Sequence, residues 1–483
     1  MSSQDFILSL PVLIVVGTAS LLLVIDLFIG GARRTVTAIL AALGLIAAMI
    51  TAGLQFGRTG QAFSGMLVHD GFGSFLQLLF LAAGLVAIAQ ALEYIRRRGI
   101  ERGEYYSLLL FSISGMMLMA NAGDLIVIFV ALELLSIPLY ILSGFARPQP
   151  ASEESAMKYF LLGAFASSFL VYGIAMIFGT TGTTQLSGIM AALQGMETVP
   201  TLFLIGAGLI LVGLGFKIAA VPFHMWTPDV YQGAPSSVTS FMSVGAKAGG
   251  FAALLRILMA AFPQASSAWV PVTAWLSALT MIWGNIAAIA QNNIKRMLAY
   301  SSIAHAGYIL MAVPAIANPA IAGEAINSAL FYLAAYAITN LGTWGVVLAL
   351  EKADGSGLEI NDYSGLARRK PALALAMALF MLSLTGVPPS IGFVGKFFLF
   401  RAVVDAGIVW LAIVGVLTSV ISAYFYLRII VMMYMAEGEV ETVGDRALNS
   451  TIGLTALATL FFGVLPGPLL ALVAQSGLMN LLP

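Results

Sequence analysis

The chain has 483 residues, of which 60% are hydrophobic and 9% charged, and its formal net charge is zero. Soluble domains carry roughly 25% charged residues, so this composition excludes one and indicates a polytopic membrane protein. The neutral balance suggests no nucleic-acid partner. Cysteine is absent and only His69, His224 and His305 supply imidazole, which excludes iron–sulfur clusters, disulfides and thiolate metal sites and disfavours a haem held by two histidines. With neither a P-loop nor a strand-borne Gly-x-Gly-x-x-Gly, energy for uphill transport would have to come from an ion gradient or a partner.

A window of about 20 residues divides the chain into fourteen helical spans. Their limits are 6–29, 35–56, 71–95, 105–122, 124–145, 155–179, 200–230, 236–262, 267–290, 297–317, 323–350, 371–403, 405–434 and 449–473. The first run, Phe6 to Ile29, follows Asp5 rather than basic residues and is longer than a signal-peptide core, so it reads as an uncleaved helix. Only Asn121-Ala-Gly-Asp124 separates spans four and five, a tight turn. Basic residues follow the odd spans: Arg33 and Arg34, then Arg96, Arg97, Arg98 and Arg102, then Arg147, Lys295 and Arg296, then Lys352, Arg368, Arg369 and Lys370, and Arg446. The opposite loops offer little beyond Arg58, so the odd loops are expected to face the cytoplasm and both termini the outside.

Two of these spans are interrupted. Span seven carries Gly215-Phe-Lys217-Ile-Ala-Ala-Val-Pro222-Phe-His224-Met-Trp-Thr-Pro228-Asp229, and span twelve carries Thr385-Gly-Val-Pro388-Pro389-Ser-Ile-Gly-Phe-Val-Gly-Lys396. A charge at the centre of a membrane helix costs about 2.5–3.5 kcal/mol on insertion scales, and each proline removes a backbone donor where no water replaces it. Two broken, lysine-bearing helices in the two halves of one chain point to an ion path. Spans seven and twelve run in opposite directions, as do five and ten. The fold expected is therefore an all-α polytopic bundle with two inverted five-helix repeats, spans 4–8 and 9–13. The divisions are an N-terminal three-helix segment (1–104), a first repeat (105–262), a second, inverted repeat (267–434), and a C-terminal loop with span fourteen (435–483).

Depth along each helix selects the candidate residues. Glu133 lies nine residues beyond Asp124, roughly 14 Å into the membrane. It is either half of a structural ion pair or the acid partner that tunes a buried lysine. Lys217 and Lys247 are equally deep, and Lys247 sits among small residues, Ser243-Val-Gly-Ala-Lys247-Ala-Gly-Gly, that leave room for water. A buried lysine that alternates between charged and neutral forms is a proton carrier. Lys396 is either a carrier or reaches the outer surface, and Lys158, near the start of span six, either joins the path or snorkels to the cytoplasmic face. His224 follows the first break, and His305 holds in span ten the place that Glu133 holds in span five. Each is a proton relay or a hydrogen-bonded core residue. Arg256, Arg401 and Arg428 do not release protons and are expected to pair with backbone carbonyls or headgroups, while Asp229 is expected to cap local backbone. A continuous polar track from Glu133 through Lys217, Lys247 and His305 to Lys396 is expected, with the repeats meeting between spans eight and ten and the breaks at Pro222 and Pro388 facing it.

The stretches from Phe216 to Pro235 and from Asn293 to Tyr308 closely resemble the antiporter-like subunits of proton-pumping NADH:quinone oxidoreductase, respiratory complex I. Trp226-Thr-Pro-Asp-Val-Tyr231 and Ser301-Ser-Ile-Ala-His-Ala-Gly-Tyr308 are most similar to the subunit N branch of that family. The resemblance covers nearly the whole chain. It implies fourteen helices with broken helices seven and twelve, and a proton path through a helix-five Glu at Glu133, a helix-seven Lys at Lys217, a helix-eight Lys at Lys247 and a helix-twelve Lys at Lys396. One sibling subunit has Glu where this chain has Lys396, and the long lateral helix of another sibling is not expected here. The resemblance also implies no cofactor in this chain, with NAD, FMN, iron–sulfur clusters and quinone in partner subunits. The partners implied are the small subunit K and the antiporter-like subunits M and L, in a bacterial inner membrane. A subunit of a multicomponent cation/proton antiporter or membrane-bound hydrogenase shares the fold and is the alternative. A passive scaffold is a further one, disfavoured because nothing would then justify burying Glu133, Lys217 and Lys247.

Overall fold

The computed structural model describes residues 2–28 and 35–477. The helices in chain order are α1 (Ser3–Asp26), α2 (Thr35–Leu54), α3 (Gly71–Arg97), α4 (Glu104–Ala120), α5 (Leu125–Ser143), α6 (Pro150–Thr181), α7 (Leu186–Gln194), α8 (Thr201–Ile218), α9 (Trp226–Gly233) and α10 (Ser236–Ala260). They continue as α11 (Ser266–Ile289), α12 (Ile294–Leu310), α13 (Ala312–Ile316), α14 (Ala322–Leu350), α15 (Leu366–Arg369), α16 (Pro371–Thr385), α17 (Ile391–Asp405), α18 (Val409–Met435), α19 (Arg446–Val464) and α20 (Gly467–Ala474). Among the described residues, twelve helical segments are long and apolar enough to cross a membrane. The fourth and twelfth predicted spans correspond to the shorter apolar helices α4 and α16, of 17 and 15 residues. Arg33 and Arg34, which enter the orientation argument, and Ile29 lie outside the described residues.

Local chemistry sets the helix starts. Asp70, Asp124, Asn293, Ser390 and Asp445 each turn a side-chain oxygen onto the first free backbone N–H groups of the helix that follows. The interior consists of α10, whose most apolar stretch is entirely buried, flanked by α12 and α14, nearly so. The outer helices α1, α2, α6 and α18 leave large side chains such as Leu21, Ile50, Phe165 and Val420 exposed, as helices facing lipid do.

Several local expectations change. Span fourteen ends at Val464 rather than continuing to 473, because Pro466 cannot extend it, and α20 starts afresh. A short antiparallel hairpin, Gly60–Ala62 with Leu67–His69, lies between α2 and α3. The first break precedes its proline: α8 stops at Ile218 and Ala219 takes a left-handed φ of 61°, a conformation that costs an alanine about 1–2 kcal/mol. The second break uses Gly386, φ 92°, where a glycine carries no such cost. Pro222, Pro388 and Pro389 are themselves exposed on the chain's surface rather than turned toward the interior. It is the freed helix-end carbonyls that reach buried donors: Phe216 O accepts from Trp226 Nε1 at 2.9 Å and Thr385 O from Lys396 Nζ at 2.8 Å.

Candidate functional site

Three of the candidate lysine side chains end inside the bundle. Lys217, Lys247 and Lys396 are 2%, 2% and 3% exposed, and among the described residues none has a carboxylate within 4.0 Å. Lys217 is in the last turn of α8, and its ammonium donates to Ser136 Oγ of α5 at 2.7 Å and to Tyr159 Oη of α6 at 3.2 Å. Lys247, midway along α10, donates to the carbonyl of Ser302 on α12. Lys396, on the second segment of its broken pair, donates to Thr385 O and to Ser419 Oγ at 2.7 Å. Thr385 ends α16, so the cation lies at the negative end of a helix dipole. The two breaks are thus used differently: Lys217 precedes its break and Lys396 follows its own.

Glu133 is half-buried on α5 and accepts a hydrogen bond of 2.5 Å from Ser167 Oγ of α6. It makes no direct ion pair with Lys217 or Lys158 within 4.0 Å. Ser167, Ser136 and Lys217 instead line one cavity of about 10 Å³, close to the least that holds one water. Hydroxyls, not a direct ion pair, therefore lie next to both Glu133 and Lys217. Lys158 is drawn elsewhere, to Glu154 Oε1 and Asp229 Oδ2, both at 2.7 Å, with its side chain 41% exposed. Asp229 in turn holds Arg296 Nη1 at 2.7 Å. Asp229 is thus an ion-pair centre rather than a local backbone cap, and Lys158 belongs to a network open to solvent, where such pairs contribute little.

His305 on α12 holds Tyr332 Oη at 2.7 Å through Nδ1 and Tyr426 Oη at 3.0 Å through Nε2. Tyr426 also meets Ser301 Oγ at 2.5 Å, and Tyr336 donates to Ser302 Oγ at 2.9 Å. The His305 ring lies 5.1 Å from the ring of Tyr336 and 5.7 Å from that of Tyr308, and Tyr308 presents its face to Lys396 Nζ at 4.5 Å. Contacts therefore run without interruption from Lys247 through Ser302, Tyr336, His305 and Tyr308 to Lys396, across α10, α12, α14 and α17. Between Lys217 and Lys247 the link is shorter but apolar: a Cβ at Gly250 would lie 3.4 Å from the Lys217 stem, and Gly250 is one turn from Lys247 on α10. His224, in the first break, packs its ring on Trp283 at 6.1 Å and joins none of the other candidates.

The arginines are structural in their contacts, with Arg256 buried and Arg401 exposed. Arg256 makes a bidentate pair with Asp70, both nitrogens at 2.9 Å, and also donates to Ala120 O. A carboxylate partner was not expected there. Arg428 follows the expectation with Gln291 O at 3.1 Å, while Arg401 pairs with Asp405 at 3.4 Å. Sequence reasoning missed Lys295, assigned to a loop yet 3% exposed with its ammonium on Ala234 O at 2.6 Å. It also missed Glu351, 2% exposed at the end of α14. Both sit at helix ends, where charge reads as loop. Among the described residues, no group of three or more His, Asp or Glu is arranged to hold a metal ion.

A membrane bundle with two broken helices and a buried series of lysines is the architecture of the antiporter-like ion-translocating subunits. Residues 122–422 match the family described as NADH:quinone oxidoreductase/Mrp antiporter, TM. NADH-quinone oxidoreductase subunit N of Chloroflexus aggregans is 48% identical, covering 98% of this chain and 97% of that protein. The subunit N of Trichlorobacter lovleyi is 44% identical over 96% and 95%. A chain of respiratory complex I from Thermus thermophilus with bound Aureothin superposes with a TM-score of 0.83 at 34% identity, over 97% of this chain and all of that one. A chain of the Mrp complex from Dietzia sp. DQ12-45-1b reaches a TM-score of 0.86 at 23% identity over 98% and 97%, a likeness of fold. The chain belongs to the NADH-quinone oxidoreductase subunit N family.

Proposed function

We propose that this chain is a proton-translocating membrane subunit of respiratory complex I, which moves protons along Glu133, Lys217, Lys247, His305 and Lys396. The observation that carries this reading is the set of three buried ammonium groups held only by neutral hydroxyls, carbonyls and ring faces. A charge held in a membrane interior is costly and is most strongly fixed by an opposite charge, which among the described residues none of these three lysines has within 4.0 Å. With neutral partners, each amine can hold a proton or pass it on at the cost of a small local rearrangement. Ser136, Ser167 and the His305 tyrosine cluster supply hydroxyls that both donate and accept. A proton crossing a 100 mV potential requires about 2.3 kcal/mol, which a change in one neighbouring charge can supply at this spacing.

Spans 4–8 and 9–13 act in this account as two inverted halves, residues 105–262 and 267–434, each contributing a broken helix and a lysine. Lys158 and His224 are peripheral to the path. Redox chemistry, with NAD, FMN, iron–sulfur clusters and quinone, belongs to partner subunits, and subunits K, M and L are the expected membrane neighbours. The chain sits in a bacterial inner membrane with both termini toward the periplasm. The subunit N names of the relatives, at 40–48% identity, favour this over the multicomponent antiporter reading. Lys217→Ala and Lys247→Ala test it. Each is expected to leave the complex assembled and to lower protons pumped per electron or turnover. Assembled variants with wild-type pumping and turnover would overturn it.

A further inference from the structure

Lys247 has a second polar approach that the path above does not use. On α10, Ser236, Ser240, Ser243 and Lys247 are spaced i, i+4, i+7 and i+11, so they share one face, and all are buried. Asn340, Trp344 and Val347 on α14, with Glu351 just after its end, repeat that spacing, and Gln90 and Tyr94 lie one turn apart on α3. The three faces meet in one seam. Tyr94 Oη donates to Glu351 Oε1 at 2.9 Å and accepts from the Ser236 N–H at 3.0 Å. Ser240 Oγ donates to Gln90 Oε1 at 2.7 Å, and Asn340 Nδ2 donates to Ser243 Oγ at 2.6 Å. Ser243 is one turn from Lys247. The seam spans about 17 Å of helix rise from Ser236 to Lys247, and it begins at the end of the bundle expected to face the cytoplasm.

Two further features distinguish this seam from ordinary polar packing. Ser236 Oγ, Trp344 Nε1 and Glu351 Oε2 are buried without a protein partner, and buried polar atoms of that kind are normally hydrated. Glu351 is itself buried but is one residue from the exposed ion pair of Lys352 with Glu441, at 2.8 Å, so the chain reaches the surface immediately beyond it.

We propose that Glu351 collects protons for Lys247, and that the Tyr94, Gln90, Ser240, Ser243 and Asn340 seam is the route between them. This rests on the proposed function, since it supplies the central lysine of that path. The step is proton transfer alone. An O–H bond of the Glu351 carboxyl breaks and an N–H bond forms on the neutral Lys247 amine. Each intervening hydroxyl or water takes one proton and gives one, while the Gln90 and Asn340 amides orient that chain without carrying the proton. Arg98, 3.7 Å from Glu351, holds the carboxylate in place between transfers.

The test uses the assembled complex in proteoliposomes. Glu351→Gln keeps the Tyr94 hydrogen bond but cannot carry a proton, and turnover is expected to fall on the order of tenfold or more. Sodium formate, a small weak acid, is expected to restore a large part of that turnover, which it would not do if Glu351 only anchored Arg98. Should Glu351→Gln fail to assemble, Ser240→Ala serves instead, with turnover expected to fall at least about twofold. Normal turnover in Glu351→Gln, a loss that formate leaves untouched, or normal turnover in an assembled Ser240→Ala overturns the proposal. Lys247→Ala is measured beside them. If it alone impairs turnover, the seam is refuted and the lysine path stands; if it too is silent, the functional reading itself fails.

Discussion

Replacing Lys396 with methionine separates proton carriage from structural support, because the local energies nearly cancel. In the wild type the ammonium donates to Thr385 O and Ser419 Oγ and faces the Tyr308 ring. Removing it gives up hydrogen bonds from a charged donor, about 1.5–3 kcal/mol. It also removes the cost of holding a charge in the membrane interior, about 2.5–3.5 kcal/mol. The helix-end carbonyl is not left bare, since Ser419 Oγ already donates to Thr385 O at 3.0 Å. Methionine has similar volume and flexibility, so it refills the space with little packing loss. The net change is therefore within about 1–2 kcal/mol of zero, and Lys396→Met is expected to assemble at near wild-type levels. Pumping, followed by pH-dye quenching in inverted vesicles and normalised to NADH oxidised, is expected to fall severalfold. Lys396→Arg keeps the charge but cannot release a proton, so it is expected to assemble and to pump poorly as well. Loss of assembly in Lys396→Met would refute the energetic reasoning; wild-type pumping in the assembled variant would refute the proton role.

Three further outcomes follow from the same contacts. Arg256→Leu removes the bidentate cation from the buried Asp70 carboxylate, so about 3–5 kcal/mol of stability is expected to be lost, and Arg256→Leu with Asp70→Asn should recover most of the complex content on native gels; no recovery would argue against the pair as the cause. Gly392→Ala drives a Cβ into the Ser383 carbonyl, so assembly is expected to fail, and a normal complex would show that α16 and α17 cross more loosely. Ser167→Ala removes the donor to Glu133 and is expected to slow turnover at least about twofold without affecting assembly, whereas unchanged turnover would detach Glu133 from Lys217.

The residues deepest in the membrane were the most legible from sequence. For Glu133, Lys217, Lys247 and Lys396, helix rise alone sets the depth, and the cost of a charge in a long apolar run singles them out, although sequence alone leaves a structural ion pair or snorkelling open. The exact breaks were less legible. Prolines 222 and 388 mark them, but the helices end four and three residues earlier, at Ile218 and Thr385, because the residues before a proline already depart from helical geometry. Lys295, Glu351 and Tyr94 were not legible as interior groups. They lie at helix ends, where composition cannot distinguish a solvated loop from a charge folded back beneath a neighbouring helix. Which partner Lys158 would take was equally hidden, since Asp229 lies 71 residues away in sequence and only tertiary packing selects it over Glu133.

The central claim is that the buried groups form one proton path, and its least connected step lies between Lys217 and Lys247, where Gly250 and the lysine stem meet without a polar bridge. An experimental structure of the assembled complex at a resolution that shows ordered waters, collected under turnover, tests that step directly. The account predicts waters linking Glu133, Lys217 Nζ and Lys247 Nζ into the Ser302, Tyr336 and His305 chain. Dry apolar packing between the two lysines in every resolved state would contradict it.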